Sequence, residues 1–137
     1  MKYDLPDVIQ VEADGPIRVI RLNRPEQLNA TNHELHAGLA ALFPQLDADP
    51  DARVAVITGN GRAFSAGGDF GYIDELVKDA ELRHLSLTHG RQIVTGMVAC
   101  RVPVVAAVNG TAVGLGCSIV ALSDIVYMAE SAHLAHP

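Results

Sequence analysis

Two stretches of this chain share one form. In each, a short apolar run that reads as a buried strand ends in a turn dense with glycine: VITGNGRAFSAGGDF (56–70) and VAAVNGTAVGLGCSI (105–119). Adjacent glycines lose more conformational entropy on folding than other residues do. A chain keeps them where something approaches the backbone closely, or where the backbone turns as other residues resist. Backbone N–H groups exposed at such turns, above all at a helix N-terminus, bind negative oxygen. Two of them converging on one point make an oxyanion hole. A single glycine loop reads as tight packing. Two, both at the carboxyl ends of buried strands, add a binding reading.

Strands and helices alternate around these turns. IRVIRLNRP (17–25) sets Ile17, Val19, Ile20 and Leu22 among Arg18, Arg21 and Arg24, an imperfect period of two that predicts a strand ending at Pro25. Thr31-Asn32-His33-Glu34 has the form of a capping box. Leu35, Leu39, Leu42 and Leu46 follow at helical spacing, and Pro44 predicts a kink or break late in that helix. ARVAVITG (52–59), β-branched and closed by glycine, predicts a buried strand. Residues 79–101 predict a helix, VPVVAAV (102–108) a buried strand, Gly114–Leu122 a helix after a glycine turn, and IVYMAE (125–130) a further strand. The order β, α, β, α, β, α, β predicts an α/β class. No repeat and no linker interrupts it.

Composition narrows the function. At 137 residues the chain is at most one ordinary domain, and 49% hydrophobic residues supply a core. A net charge of -6, with Arg and Lys scattered, speaks against nucleic acid as a partner. Cys100 and Cys117 form no CxxC pair, so no disulfide framework is expected and a reducing cytosol is the default. The start, MKYDLPDVIQ, carries acids where a secretory signal needs an apolar core. VPVVAAV falls far short of the ~20 residues of a membrane helix. The expectation is a soluble cytoplasmic protein without a membrane partner.

Several other readings compete for the site. NGTAVGLG fits the glycine spacing of a short-chain dehydrogenase loop, which holds a dinucleotide pyrophosphate. Against it, the loop lies deep in the chain, no ribose-reading acid follows ~20 residues on, and no Tyr-x-x-x-Lys pair exists. His33-x-x-His36 and His133-x-x-His136 have helical spacing, but two histidines alone make no metal site; polar surface is the expectation for both. Asp74, Glu75 and His89 read as a solvated helix face. Ser65, Ser118 and Cys117 lack a nucleophile elbow and an evident His partner, and Cys117 reads as a small buried residue.

Four segments together, LNRPEQLNA (22–30), VITGNGRAFSAGGDF, RVPVVAAVNGTAVGLGCSI (101–119) and SDIVYMAESAHL (123–134), resemble the crotonase family, the enoyl-CoA hydratase/isomerase group. The resemblance implies a repeated ββα spiral core and an acyl-CoA thioester as substrate, with coenzyme A part of that substrate and no separate cofactor or metal. It implies that the N–H groups of Gly68 and Leu115 polarise the thioester carbonyl as an enolate forms. It implies that Asp69 is mainly structural. Gln27, Leu28 and Ala30 would form the wall of the CoA pocket, and Ala66, Gly68, Asp69, Phe70, Gly71, Gly114 and Leu115 would line the pantetheine and acyl path.

Two departures qualify these implications. Hydratases that the chain resembles use two glutamates around one water, and the first of those positions is Ser118 here. A serine hydroxyl is no base at neutral pH without a partner. Weak hydration is therefore expected, with isomerase or hydrolase/lyase chemistry less affected. The other acid of the family would lie past residue 137. Members are also about twice as long and form trimers or hexamers, so residues 1–137 are expected to be the N-terminal part of one crotonase-like domain, ahead of its C-terminal helices. A non-catalytic CoA-binding or assembly module is the alternative.

Overall fold

Residues 9–22 form a β-hairpin in the computed structural model, which describes all 137 residues. β1 (Ile9–Asp14) and β2 (Ile17–Leu22) pair antiparallel across a turn in which Gly15 takes a φ of 55°. α1 (His33–Ala48) leads to β3 (Val54–Gly59), and α2 (Phe70–Lys78) with α3 (Ala80–Ala99) leads to β4 (Val104–Val108). The short β5 (Ala112–Val113) and α4 (Leu115–Leu122) precede β6 (Ile125–Met128), which is followed by β7 (Leu134–Ala135). The main sheet has five strands in the order β1-β2-β3-β4-β6, parallel after the first pair. β5 and β7 form a separate two-stranded parallel sheet.

Register explains the core. Ile20 lies opposite Ile57, and Ile57 opposite Ala106, so one face of the sheet carries a continuous apolar row. α1 lays Leu35, Leu39, Leu42 and Leu46 on that face, and α3 adds Ile93 and Met97. Each leucine so buried contributes about 1.5–3 kcal/mol. Arg18 shares the core-facing side of β2 because Asp49 neutralises it: Arg18 Nε lies 2.7 Å from Asp49 Oδ2, and both side chains are buried. Tyr3 donates to the same oxygen at 2.8 Å. Burial, and then the hydrogen bond to Asp49, push the Tyr3 hydroxyl up to about 12.

Several expectations need correcting. The cap of α1 is Asn32, not Thr31; its side chain accepts from the Leu35 N–H at 2.9 Å. Thr31 instead bridges to Gly68. α1 runs unbroken through Pro44, which faces solvent while Leu42, Phe43 and Leu46 anchor the helix in the core. The sequence reading assigns no structure to β1, β5 or β7, and marks α2 only by a solvated helix face at Asp74 and Glu75. Ile125, Val126, Tyr127 and Met128 of β6 are all exposed at the sheet edge. No helix is long and apolar enough to cross a membrane.

Candidate functional site

The glycine turns after β3 and β4 touch. Gly67 takes a φ of 92°, and a Cβ there would stand 3.2 Å from the Val113 carbonyl oxygen. Gly114 takes a φ of 57°, and a Cβ there would lie 3.8 Å from Gly67 Cα. Left-handed backbone and close approach together account for these two glycines. The turns are also joined by hydrogen bonds: Val113 N–H donates to Ser65 O at 2.9 Å, and Phe64 N–H and Ser65 N–H donate to Thr111 O at 3.1 Å. A side chain at Gly116 would stand 2.7 Å from Ser65 O.

Gly68 and Leu115 are the next residues along each turn. Gly68 does not share the left-handed backbone of Gly67. A Cβ on it would meet only the Ile73 side chain, whose Cδ1 would be 2.8 Å away. Neither the Gly68 N–H nor the Leu115 N–H has an acceptor in the chain. Leu115 opens α4, so its N–H also stands at the positive end of that helix. Two free donors on adjoining turns are the equipment needed to hold an oxygen that gathers negative charge.

The RPEQLNA segment is laced along the first turn. Ala66 N–H donates to Leu28 O at 3.0 Å, Thr31 N–H to Gly67 O at 2.6 Å, and Asp69 N–H to Thr31 O at 3.0 Å. Ser65 Oγ donates to Asn29 O at 2.8 Å. Leu28 and Asn29 take φ values of 54° and 53°. For leucine that conformation costs about 1–2 kcal/mol. The Asn29 side chain holds it there, donating to Asn60 O at 2.9 Å and Ala63 O at 3.0 Å and accepting from Arg24 N at 2.7 Å. The Arg24 guanidinium bonds Ala30 O and lies 3.3 Å from Asp69 Oδ2.

Asp69 caps α2. Its carboxylate accepts from the Tyr72 N–H at 3.1 Å, and that bond, with Arg24 beside it, holds the group below the usual carboxylate range. Its partners are thus helix and strap. Gln27 is exposed, Leu28, Ala30 and Ala66 are half-buried, and Gly71 and Phe70 are exposed, Phe70 by 88%. Of the expected wall and path residues, Leu28 is hydrogen-bonded to Ala66 and Gly114 packs on the first turn, whereas Gln27 bonds only within its own segment and Phe70 faces solvent. A small cleft of about 260 Å³ beside the paired turns is lined by Arg24, Asn32, His33, Asp69, Tyr72 and Glu75. A larger cleft, about 570 Å³, lies elsewhere, between α1 and α3.

Ser118 is not without a histidine. Its Oγ lies 3.3 Å from His136 Nε2 and 3.2 Å from Gly114 O. β7 pairing with β5 sets this up across 18 residues of sequence, which is why spacing alone does not reveal it. His133 goes to Thr111 Oγ1 at 3.4 Å, so the two histidines of that pair have separate partners. His36 is buried rather than surface, and His89 is half-buried against it and His33. Asp74 and Glu75 are exposed. Cys117 is half-buried and unpaired, not fully buried. Arg24, Asn29, Ile73 and His136 are the site neighbours that the sequence reading misses. The dehydrogenase reading fails on topology, because a dinucleotide loop follows the first strand of a doubly wound sheet, whereas Gly110–Gly116 follows β4 and packs on the other turn.

Comparison with known proteins gives the family. The profile of the enoyl-CoA hydratase/isomerase family matches residues 12–137. A crystal structure of an enoyl-CoA hydratase/isomerase from Mycobacterium paratuberculosis superposes with a TM-score of 0.97 at 65% identity, over 98% of this chain and 54% of that one. A Mycobacterium tuberculosis protein named probable enoyl-CoA hydratase echA8 is 35% identical over 132 residues, 96% of this chain and 49% of its own length. The 1,2-epoxyphenylacetyl-CoA isomerase of Escherichia coli is 36% identical over 118 residues, 85% of this chain and 45% of its own. The chain spans about half the length of the relatives it matches. Its mixed α/β fold and its sequence both place it in one group: the chain belongs to the enoyl-CoA hydratase/isomerase family.

Proposed function

We propose that this chain takes part in acyl-CoA chemistry, holding a thioester carbonyl oxygen between the N–H groups of Gly68 and Leu115. The observation that carries the reading is the pair of unpartnered donors on adjoining turns. As a proton leaves the carbon next to the carbonyl, negative charge gathers on the thioester oxygen. Donors already in place stabilise that charge, each by about 3 kcal/mol. The strap of Gln27, Leu28 and Ala30 would wall the CoA, and Phe70 and Gly71 would flank the acyl path. Names of the relatives support a CoA thioester: one is a hydratase of enoyl-CoA and another an isomerase of an epoxyacyl-CoA. Ser118 supplies no carboxylate for a two-glutamate hydration, so single-base chemistry such as isomerisation fits better.

Calorimetry with acetyl-CoA and with NADH, on the protein in its natural full length, tests the ligand class. Acetyl-CoA is expected to bind more tightly. Tighter binding of NADH would end this reading.

A further inference from the structure

Ser118 and His136 are placed for a task that neither performs alone. The hydroxyl has one proton and two acceptors, Gly114 O at 3.2 Å and His136 Nε2 at 3.3 Å. With the proton toward Gly114, the hydroxyl oxygen can accept from a protonated His136; with the proton toward His136, that oxygen becomes a stronger base. The backbone fixes the partner. Ala112 N–H donates to His133 O and Gly114 N–H to Ala135 O, both at 3.0 Å, so His136 leaves β7 directly beside the start of α4. Neither residue is in an ion pair.

The same turn of α4 carries the proposed carbonyl donor. Gly114 O and Leu115 N–H belong to one peptide unit and point in opposite directions. An oxygen bound by the N–H therefore lies on the far side of that peptide from the Ser118 hydroxyl. Ser118 stands three residues on from Leu115, one turn along α4 from that oxygen.

We infer that Ser118 and His136 form a proton-relay pair that removes and returns the proton on the acyl carbon next to the thioester, in the place where a carboxylate would otherwise act. The inference rests on the acyl-CoA reading above. In the forward step the carbon–hydrogen bond breaks, its proton passes to Ser118 Oγ, and the Ser118 proton passes to His136 Nε2. The electron pair left on carbon spreads to the thioester oxygen between Gly68 and Leu115. The step leaves a neutral serine, an imidazolium and an enolate, and it reverses by the same path. A histidine suits this work because its ordinary titration lies near neutrality. Few other titratable groups compete with it. β4 and β5, packed on α4, carry none, α3 carries none after Arg91, and on the pair's own segments Cys117, Glu130 and His133 remain.

The test is exchange of the methyl protons of acetyl-CoA in heavy water, followed by mass spectrometry on the natural full-length protein from about pH 5 to 9. His136→Gln keeps a hydrogen-bonding side chain but cannot titrate; Ser118→Ala removes the relay oxygen. Each is expected to slow exchange by ~10² or more, with acetyl-CoA affinity by calorimetry unchanged. His136→Gln is also expected to lose the acid limb of the pH profile, a readout that a merely structural role would not move. A His136→Gln protein with the wild-type rate and profile overturns the inference and leaves the acyl-CoA reading standing. Acyl mass on Ser118 overturns it in favour of a nucleophile. Failure of the wild-type protein to bind acetyl-CoA removes both readings; binding without exchange removes the relay alone.

Discussion

On the proposed acyl-CoA reading, Ser118 limits which reactions the site can run. It stands where the family resemblance implies one carboxylate of a two-carboxylate hydration, and it offers instead a hydroxyl bonded to Gly114 O and His136 Nε2. Crotonyl-CoA hydration by the natural protein is therefore expected to fall well below the ~10 per second typical of enzymes. Ser118→Glu should raise it, toward the ~10²-fold that marks the low end of a positioned acid–base group. A steady-state assay of both proteins checks this, and a fast wild-type rate would show that another group already does the work. At this scale the sequence was half informative. The two turns were legible because glycine punctuates a chain, whereas Gly68 and Leu115 within them were singled out only by the family resemblance. Arg24 and His136 were not. Arg24 acts through Asp69, 45 residues away, and His136 through Ser118, 18 residues away, so each depends on strand pairing rather than spacing.

Where α1, α2 and α3 meet, three histidines and a tyrosine pack ring to ring, with centroids 5.9–6.3 Å apart. His36 Nδ1, His89 Nδ1 and Tyr72 Oη are buried there without partners. Burial, and then the charges of His89 and His33, lower His36 from 6.5 to about 4. The unfolded chain thus binds a proton on His36 between those values and the folded chain does not. Its contribution to stability is complete above 6.5, falls as pH drops through the window, and is gone near 4. His89 is lowered too, first by burial, and adds in the same direction. Asp49 and Asp69 are held below 3.8, so their losses begin only at lower pH. The melting temperature should decline from about pH 7 to about pH 4.5, and His36→Leu should flatten that decline. A wild-type midpoint that stays constant over the range contradicts the account. Elements with a buried stripe, such as α1 with its four leucines, were legible from period alone. α2 was not, because only Tyr72 is buried while Phe70, Ile73 and Val77 face outward. β1 does alternate Ile9, Val11 and Ala13 with polar residues ahead of a Gly-Pro turn, a signal present in the sequence but weak, since only Ile9 is buried.

Across the whole molecule, two turns far apart in sequence are brought into contact because β3 and β4 are parallel neighbours whose carboxyl ends open on the same side. Each of the two adjoining turns carries one N–H without an acceptor, Gly68 and Leu115, and the central claim is that these donors activate a thioester. Gly68 offers the direct test, since its backbone is not left-handed and its N–H is unpartnered. Proline removes the N–H. Alanine keeps it and asks only that the Ile73 Cδ1, 2.8 Å from the new Cβ, rotate aside. The measurement is turnover and CoA-ester affinity of Gly68→Pro and Gly68→Ala in the natural full-length protein, with circular dichroism to confirm folding. The account predicts near-normal turnover for alanine and a loss of ~10²–10³ for proline with CoA binding retained. A folded Gly68→Pro protein with wild-type turnover, or an alanine variant as impaired as proline, would contradict it.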